Sequence, residues 1–417
     1  MLKMWYNPNE NRMQAGGVSL ANYALINNEV IPYICSKKRV SIDYLVKKTG
    51  FKREKIEGLF DLSVDSKITI NQAKTIAKHL HVPFAGLYMN KEDVRIKEIP
   101  SFRNFRTFDG AIVVDDSGIN IAICDVLLKR DFLLSERNDM GLSMPHFTHF
   151  EFIPSSPVEL AQFIRLKFSV DIREQFKCNS TRQFYLYLRD KIEQMGIFIQ
   201  CFNDVSIDVA RGFSIYDKEL PVIGINSDDR PPAKSFSIIH ELVHLLKRES
   251  SLCNSMYNKR TTQAEEVFCN AVAGEVLVPN NELQNTIEKY GFSNSFTKEN
   301  IGTIANRFSV SREVIIRRLF DTHRITEKEY NSFSDAFKHE LEIEKEEREL
   351  ARKEGNAVII PRNISREAID STSPTICKTL YYGYGEEVYS KLDVAHYLNI
   401  SPKHIDKFLK EVEKWNN

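Results

Sequence analysis

Two histidines four residues apart, with a glutamate directly after the first, stand in the run His240-Glu241-Leu242-Val243-His244. On an α-helix, residues four apart lie one turn apart on the same face. Both imidazoles can therefore grip one ion while Glu241 reaches obliquely toward an ion-bound water. That is the geometry of a zinc hydrolase. Zinc takes nitrogen donors at about 2.0–2.1 Å, and a catalytic site keeps three protein ligands with a fourth position open for water. The metal brings the pKa of that water down to about 7, and the glutamate takes its proton and delivers it to the leaving amine. From the His and Glu content, the pattern arises by chance on the order of once per hundred proteins, so it does not stand alone.

Context favours chemistry over coincidence. The helix "FSIIHELVHLL" is apolar on nearly every side, and two buried imidazoles beside a buried carboxylate need partners that a metal supplies. The run Pro221–Asn226 just before it reads as a strand, the edge strand expected to hold substrate backbone. A further ligand is sought on the next helix, "QAEEVFCNAVAGEVLV", which offers Glu265, Glu266 and, lower down, Glu275. The neighbours of Glu266 are mostly apolar, and Asn270 follows one turn later on the same face. That pairing suggests a ligand and an amide that orients a histidine. Glu266 is the chosen ligand; the alternative for Glu265 and Glu266 is a solvated first helical turn favoured by the macrodipole.

Three segments taken together resemble the ImmA/IrrE family of zinc metallopeptidases: "RGFSIYDKELPVIGIN" (Arg211–Asn226), "FSIIHELVH" (Phe236–His244) and "EEVFCNAVAGEVLVP" (Glu265–Pro279). The resemblance extends over about Pro157–Tyr330. It implies zinc as cofactor, His240, His244 and Glu266 as ligands, Asn270 beside them and Glu241 as base and later acid. Cys269 stands where alanine is usual and Val272 where phenylalanine is usual; both stay apolar and bear on packing more than on chemistry. The implied activity is that of an endopeptidase cutting a specific regulatory protein, a helix-turn-helix transcriptional repressor encoded nearby, to relieve repression. Tyr216 and Arg211 are candidates for oxyanion stabilisation from their strand position.

The elements around this core read as mostly helical. From about Asn28 to Met89 come four or five short helices, with Ser41 and Thr69 as N-cap types and Gly50 as a stop. Residues 31–89 resemble an XRE-type helix-turn-helix, whose second helix, about Lys52–Phe60, would enter a major groove. Lys37–Phe60 carries eight Lys or Arg against three acidic residues, enough for phosphate contacts, and Lys52, Arg53 and Lys55 are the candidate DNA-binding residues. That helix has no Asn or Gln for base readout, and Glu54 and Glu57 oppose phosphate, so protein contact stands beside DNA as its use. Lys97–Gly118 reads as a junction. Helices at about Ile119–Glu136, Pro157–Phe168 and Ser180–Met195 precede three short β-like runs, "GIFIQCF", "GFSIY" and "PVIGIN". Glu249–Thr262 reads as a Ser/Asn/Lys-rich loop, and residues 336–354 as a solvated helix or connector. The C-terminal "DVAHYLNISPKHIDKFL" has a helix-turn-helix cadence suited to an interaction module. His146, His149, His396 and His404 read as surface or packing residues.

The expected fold class is α+β, mostly helical. Its parts are an N-terminal helix-turn-helix domain (1–92), a connector (93–156), a zincin-like metallopeptidase core with a small sheet (157–330) and a helical C-terminal interaction region (331–417). A length of 417 residues suits two to four units. With no apolar run of 18 residues and no secretory signal, the cytoplasm is the expected compartment. Seven scattered cysteines without a Cys-x-x-Cys pair suit reduced thiols and exclude a zinc-finger or disulfide framework. With 57 basic and 57 acidic side chains, any nucleic-acid surface is a local patch. The partners expected are a protein substrate, with double-stranded DNA and a second copy of the chain as further candidates, and no membrane. The alternative is a DNA-binding or antitoxin-like regulator whose zincin fold serves as a scaffold or sensor with little turnover.

Overall fold

In the computed structural model, which describes residues 23–61, 63, 67–97, 99, 116–143, 146–248, 250–253, 264–292, 295–354 and 361–415, the chain divides into two units between Ile96 and Lys97. The first unit contains α1 (Val30–Lys37), α2 (Ile42–Thr49), α3 (Arg53–Glu57) and α4 (Ile70–His79), followed by two 3₁₀ turns. The local signals act where they stand. Ser41 accepts from the Tyr44 N–H, and Thr69 and Gln72 form a reciprocal capping box, satisfying N–H groups that the first helical turn leaves without partners. Gly50 ends α2 at φ 69°, a left-handed conformation that costs glycine little. Val30, Ile31, Ile34, Leu45, Ile56, Ile76 and Leu80 form the core of this unit. Lys38, also buried, donates from Nζ to the Leu80 carbonyl at 2.9 Å, so its charge closes the end of α4. The helix expected over Lys52–Phe60 is regular only to Glu57. Leu59 and Phe60 continue it by bonds to Ile56 and Glu57, the tighter winding usual at a helix end.

The second unit begins with α5 (Ser117–Asp139), α6 (Pro157–Lys167), α7 (Ile172–Lys177) and α8 (Thr181–Glu193). A sheet segment follows, with β1 (Phe198–Phe202), β2 (Gly212–Ile215) and β3 (Val222–Asn226), then α9 (Pro231–Leu246) and β4 (Ser251–Cys253). Helices α10 (Ala264–Leu277), α11 (Asn280–Tyr290), α12 (Lys298–Phe308), α13 (Arg312–Asp321) and α14 (Glu327–Lys353) come next. The described chain ends with α15 (Ile364–Ser371), α16 (Pro374–Gly385), α17 (Lys391–Leu398) and α18 (Ile405–Glu413). The strand order is β1-β3-β2-β4, with β1 parallel to β3 and the other two pairings antiparallel. The strand over Val222–Asn226, expected at an edge, therefore lies inside the sheet. The physical reason is the long connection around β2, which lets β1 pair in parallel with β3 and displaces the edge to β1 and β4.

Both faces of the sheet are covered, so its strands read as apolar runs and not as alternations. Ile199, Cys201, Ile223 and Ile225 point to one core with α9, α10 and helices α6 to α13. Phe198, Phe202, Phe213, Ile215 and Val222, the intervening residues, point to a second core with α5 and α15–α18. The segments expected as connector and C-terminal region thus supply the layer that closes the second face. They also close the β1 edge. The Gln200 amide donates to the Ser371 carbonyl at 2.6 Å and accepts from the Ser373 N–H at 3.1 Å. The Glu193 carboxylate accepts from the N–H groups of Ile199 and Thr375, each at 3.0 Å. Burial pushes the Glu193 carboxyl above its usual range, although hydrogen bonds and Arg189 pull it the other way. Covering an edge in this way removes a template for unwanted strand pairing.

Helix α14 is capped by a reciprocal Thr326–Glu329 box, and Tyr330, Ser334 and Phe337 are its buried residues; the highly charged stretch beyond is exposed. His149 packs edge-on to Phe147 and meets the Lys218 carbonyl at 3.0 Å. The junction Lys97–Gly118 and the loop Glu249–Thr262 lie largely outside the described residues, apart from β4. A buried ion pair, Arg318 with Glu275, ties α13 to the end of α10; Arg318 Nε also donates to the Val278 carbonyl at 3.0 Å, and Glu275 accepts from the Asn280 N–H at 2.9 Å. Removing one partner strands a buried charge. Arg318→Ala is expected to destabilise this unit by about 3–5 kcal/mol, read as a lower denaturation midpoint in urea.

Candidate metal centre

Helix α9 starts at the Pro231-Pro232 pair, where missing N–H groups cost nothing. It is buried from Ala233 to Leu246. Its apolar residues Ile238, Ile239, Leu242 and Leu245 pack into the first core, and that packing fixes the rotation of the helix about its axis. His240, Glu241 and His244 are buried with them. Helix α10 packs alongside and delivers Glu266, the expected ligand, to the two imidazoles.

The two Nε2 atoms are 3.3 Å apart. Glu266 Oε2 lies 3.2 Å from His240 Nε2, and Glu266 Oε1 lies 3.5 Å from His244 Nε2. Bond lengths of 2.0–2.1 Å around a tetrahedral ion set donor-to-donor edges of about 3.3–3.4 Å, which the two imidazole nitrogens match, and one ligand atom from each of the three side chains lies within 4.8 Å of the other two. Among the described residues this is the group of three or more His, Cys, Asp or Glu side chains able to hold a metal. Burial acts to raise the Glu266 carboxyl, but hydrogen bonds and charge from His240 and His244 outweigh it and hold the carboxylate well below its usual range.

Asn270 stands one turn after Glu266, with Oδ1 3.0 Å from His240 Nδ1. An amide oxygen only accepts, so His240 Nδ1 donates to it, and Nε2, which faces Glu266 and His244, is the nitrogen a metal would take. That contact sets the tautomer a metal ligand needs. Asn270→Ala is expected to weaken zinc affinity about 10–100-fold, measured by competition with a coloured chelator. His244 Nδ1 faces Cys269 Sγ at 4.0 Å, so Cys269 lies beside a candidate ligand. Glu265, the neighbour weighed against Glu266, turns away toward Lys247 at 3.8 Å.

Glu241 is fully buried, and one of its oxygens is accounted for: Oε2 accepts from the Ser251 hydroxyl at 2.7 Å. Oε1 is buried with no hydrogen-bond partner among the described residues. A buried carboxylate oxygen in that condition is costly to the folded state. Sequence reasoning missed Ser251 and its neighbour Ser214, since their approach depends on β4 pairing with β2, and β4 is three residues long within a loop-like composition.

Of the oxyanion candidates, Arg211 is engaged with Asp229 at 2.7 Å, and Tyr216 donates its N–H to Ser250 at 3.0 Å. The candidate DNA-binding residues belong to the first unit. Lys52 is the exposed N-cap of α3, Arg53 pairs with Asp43 and, at 3.5 Å, with Glu57, and Lys55 reaches Gln72 Oε1 at 2.7 Å. No described helix is long and apolar enough to cross a membrane.

No curated protein matches the chain. Residues 193–320 match the Peptidase_M78 family model, described as the IrrE N-terminal-like domain; this segment is just under a third of the chain and contains the two histidines, Glu241, Glu266, Asn270 and Ser251.

Proposed function

We propose that this chain is a zinc-dependent endopeptidase that cleaves a specific regulatory protein, a helix-turn-helix repressor encoded nearby. The observation that carries the reading is the convergence of His240, His244 and Glu266 beside a buried Glu241 with one oxygen unpartnered among the described residues. His240 and His244 would hold zinc through Nε2, and Glu266 through its carboxylate. When bound at such a site, zinc polarises a carbonyl and lowers the pKa of a coordinated water to about 7. Glu241 accepts the proton of the attacking water and hands it to the departing amide nitrogen, and its burial keeps that transfer out of bulk solvent. The fixed Nδ1 proton on His240 keeps the opposite nitrogen available as a ligand.

The first unit fits a role in selecting the protein partner. Arg53 and Lys55 are already engaged with Asp43, Glu57 and Gln72, which favours protein contact over readout of DNA bases. The test is reconstitution: the purified full chain, with zinc quantified by atomic emission, is incubated with the helix-turn-helix protein encoded beside it. Two fragments should appear, disappear with a chelator and return with zinc. A zinc-loaded chain that leaves that protein intact would overturn the substrate; a chain that takes up no zinc would overturn the peptidase.

A further inference from the structure

Strand β4 sets Ser251 directly across from Ser214 on β2, and their hydroxyl oxygens are 2.8 Å apart. Ser251 also donates to Glu241 Oε2 at 2.7 Å. A serine hydroxyl has a single proton, so Ser251, donating to the carboxylate, accepts from Ser214. The chain of donors runs one way, from Ser214 through Ser251 to Oε2. On the other side of the carboxylate is Gly212. A Cβ added there would lie 3.2 Å from Glu241 Oε1 and 3.3 Å from its Cγ, closer than nearly all real contacts of that kind. Glu241 therefore sits in a slot with one oxygen held by β4, while the other faces the backbone of β2 and has no protein partner among the described residues.

The terminal torsion of a glutamate is broad and roughly two-fold, so burial alone does not decide which oxygen points where. We propose that Ser251, oriented by Ser214, is a positioning residue. It holds Oε2 and so presents Oε1 as the atom that takes and returns the proton. This rests on the reading of Glu241 as the base. The hydroxyl pair bears on Glu241, so zinc affinity measured beside probe binding separates its effect from metal binding.

The experiment uses the full zinc-loaded chain with acetohydroxamate as probe, because a hydroxamate chelated to zinc keeps a proton to donate to an adjacent carboxylate. Ser251→Ala should weaken hydroxamate binding about tenfold and Ser214→Ala about threefold, while Ser251→Thr, which keeps the donor, should stay within about twofold of the parent. Zinc affinity should be unchanged in all three, and Glu241→Gln should weaken the probe at least as much as Ser251→Ala. If Glu241→Gln weakens binding but Ser251→Ala does not, or tightens it, the positioning role falls while the base survives. If Ser251→Ala loses zinc, the contact is structural and the proposal fails. If Glu241→Gln leaves binding unchanged, both readings fall together.

Discussion

Replacing Glu241 with glutamine is expected to lower turnover by about 10²–10⁴-fold, the usual range for loss of a positioned general base. The substitution is close to isosteric. The amide oxygen can still accept from Ser251, whose hydroxyl is 2.7 Å from Oε2 in the parent, so the slot between β2 and β4 should stay filled. What is lost is the capacity to take up a proton. Because Glu241 is fully buried and Oε1 has no protein partner among the described residues, a charge there is a burden on the folded state, and a neutral side chain relieves that burden. The variant should keep its zinc and melt at the same temperature as the parent or higher, the pattern of a group held for chemistry at the expense of stability. Initial cleavage rates, zinc content and a thermal melt on the same preparation test all three parts. Cleavage at the parental rate would remove Glu241 from the mechanism.

The centre was more legible than the fold around it. His240 and His244 share a helical face by spacing alone, and the apolar residues between and beside them point to burial. The preference for Glu266 rested on its apolar surroundings and on Asn270 one turn away. The structure places Asn270 against His240 at 3.0 Å and turns Glu265 toward Lys247. Contacts that depend on pairing across long separations were not legible. Gln200 meets Ser371 and Ser373, and nothing near Gln200 in sequence announces that a segment some 170 residues later seals its strand. The same blindness put Pro221–Asn226 at a sheet edge, since an apolar strand reads alike whether one or two neighbours flank it. A local turn marked by glycine was easier to read, at Gly50. Gly50-Phe51-Lys52, Ser309-Val310-Ser311 and Asn399-Ile400-Ser401 each run from a left-handed residue through an apolar residue to an N-cap, and the last two show that a short polar side chain can take the place of glycine at such a turn.

Zinc binding should distinguish Glu266 from Glu265 more sharply than any other pair of neighbours in the chain. Free energies of about 10–16 kcal/mol for four-ligand zinc sites correspond to roughly 2.5–4 kcal/mol for each ligand. Glu266→Ala is therefore expected to weaken zinc affinity by about 10²–10³-fold or more, at about 1.4 kcal/mol for each factor of ten. Glu265→Ala removes a partly exposed partner of Lys247 at 3.8 Å and should change affinity by less than about twofold, as expected of an ion pair near the surface. In the absence of metal the two variants should differ as well. The Glu266 carboxylate meets both imidazoles within 3.5 Å, so its removal takes an acceptor from two buried rings and lowers the stability of the metal-free chain. Added zinc should then raise the melting temperature of the parent and of Glu265→Ala in proportion to affinity, and that of Glu266→Ala far less, because a ligand stabilises the folded state only as far as it binds it. Equal zinc affinity in the two variants would move the third ligand off Glu266, and with it the role assigned to α10.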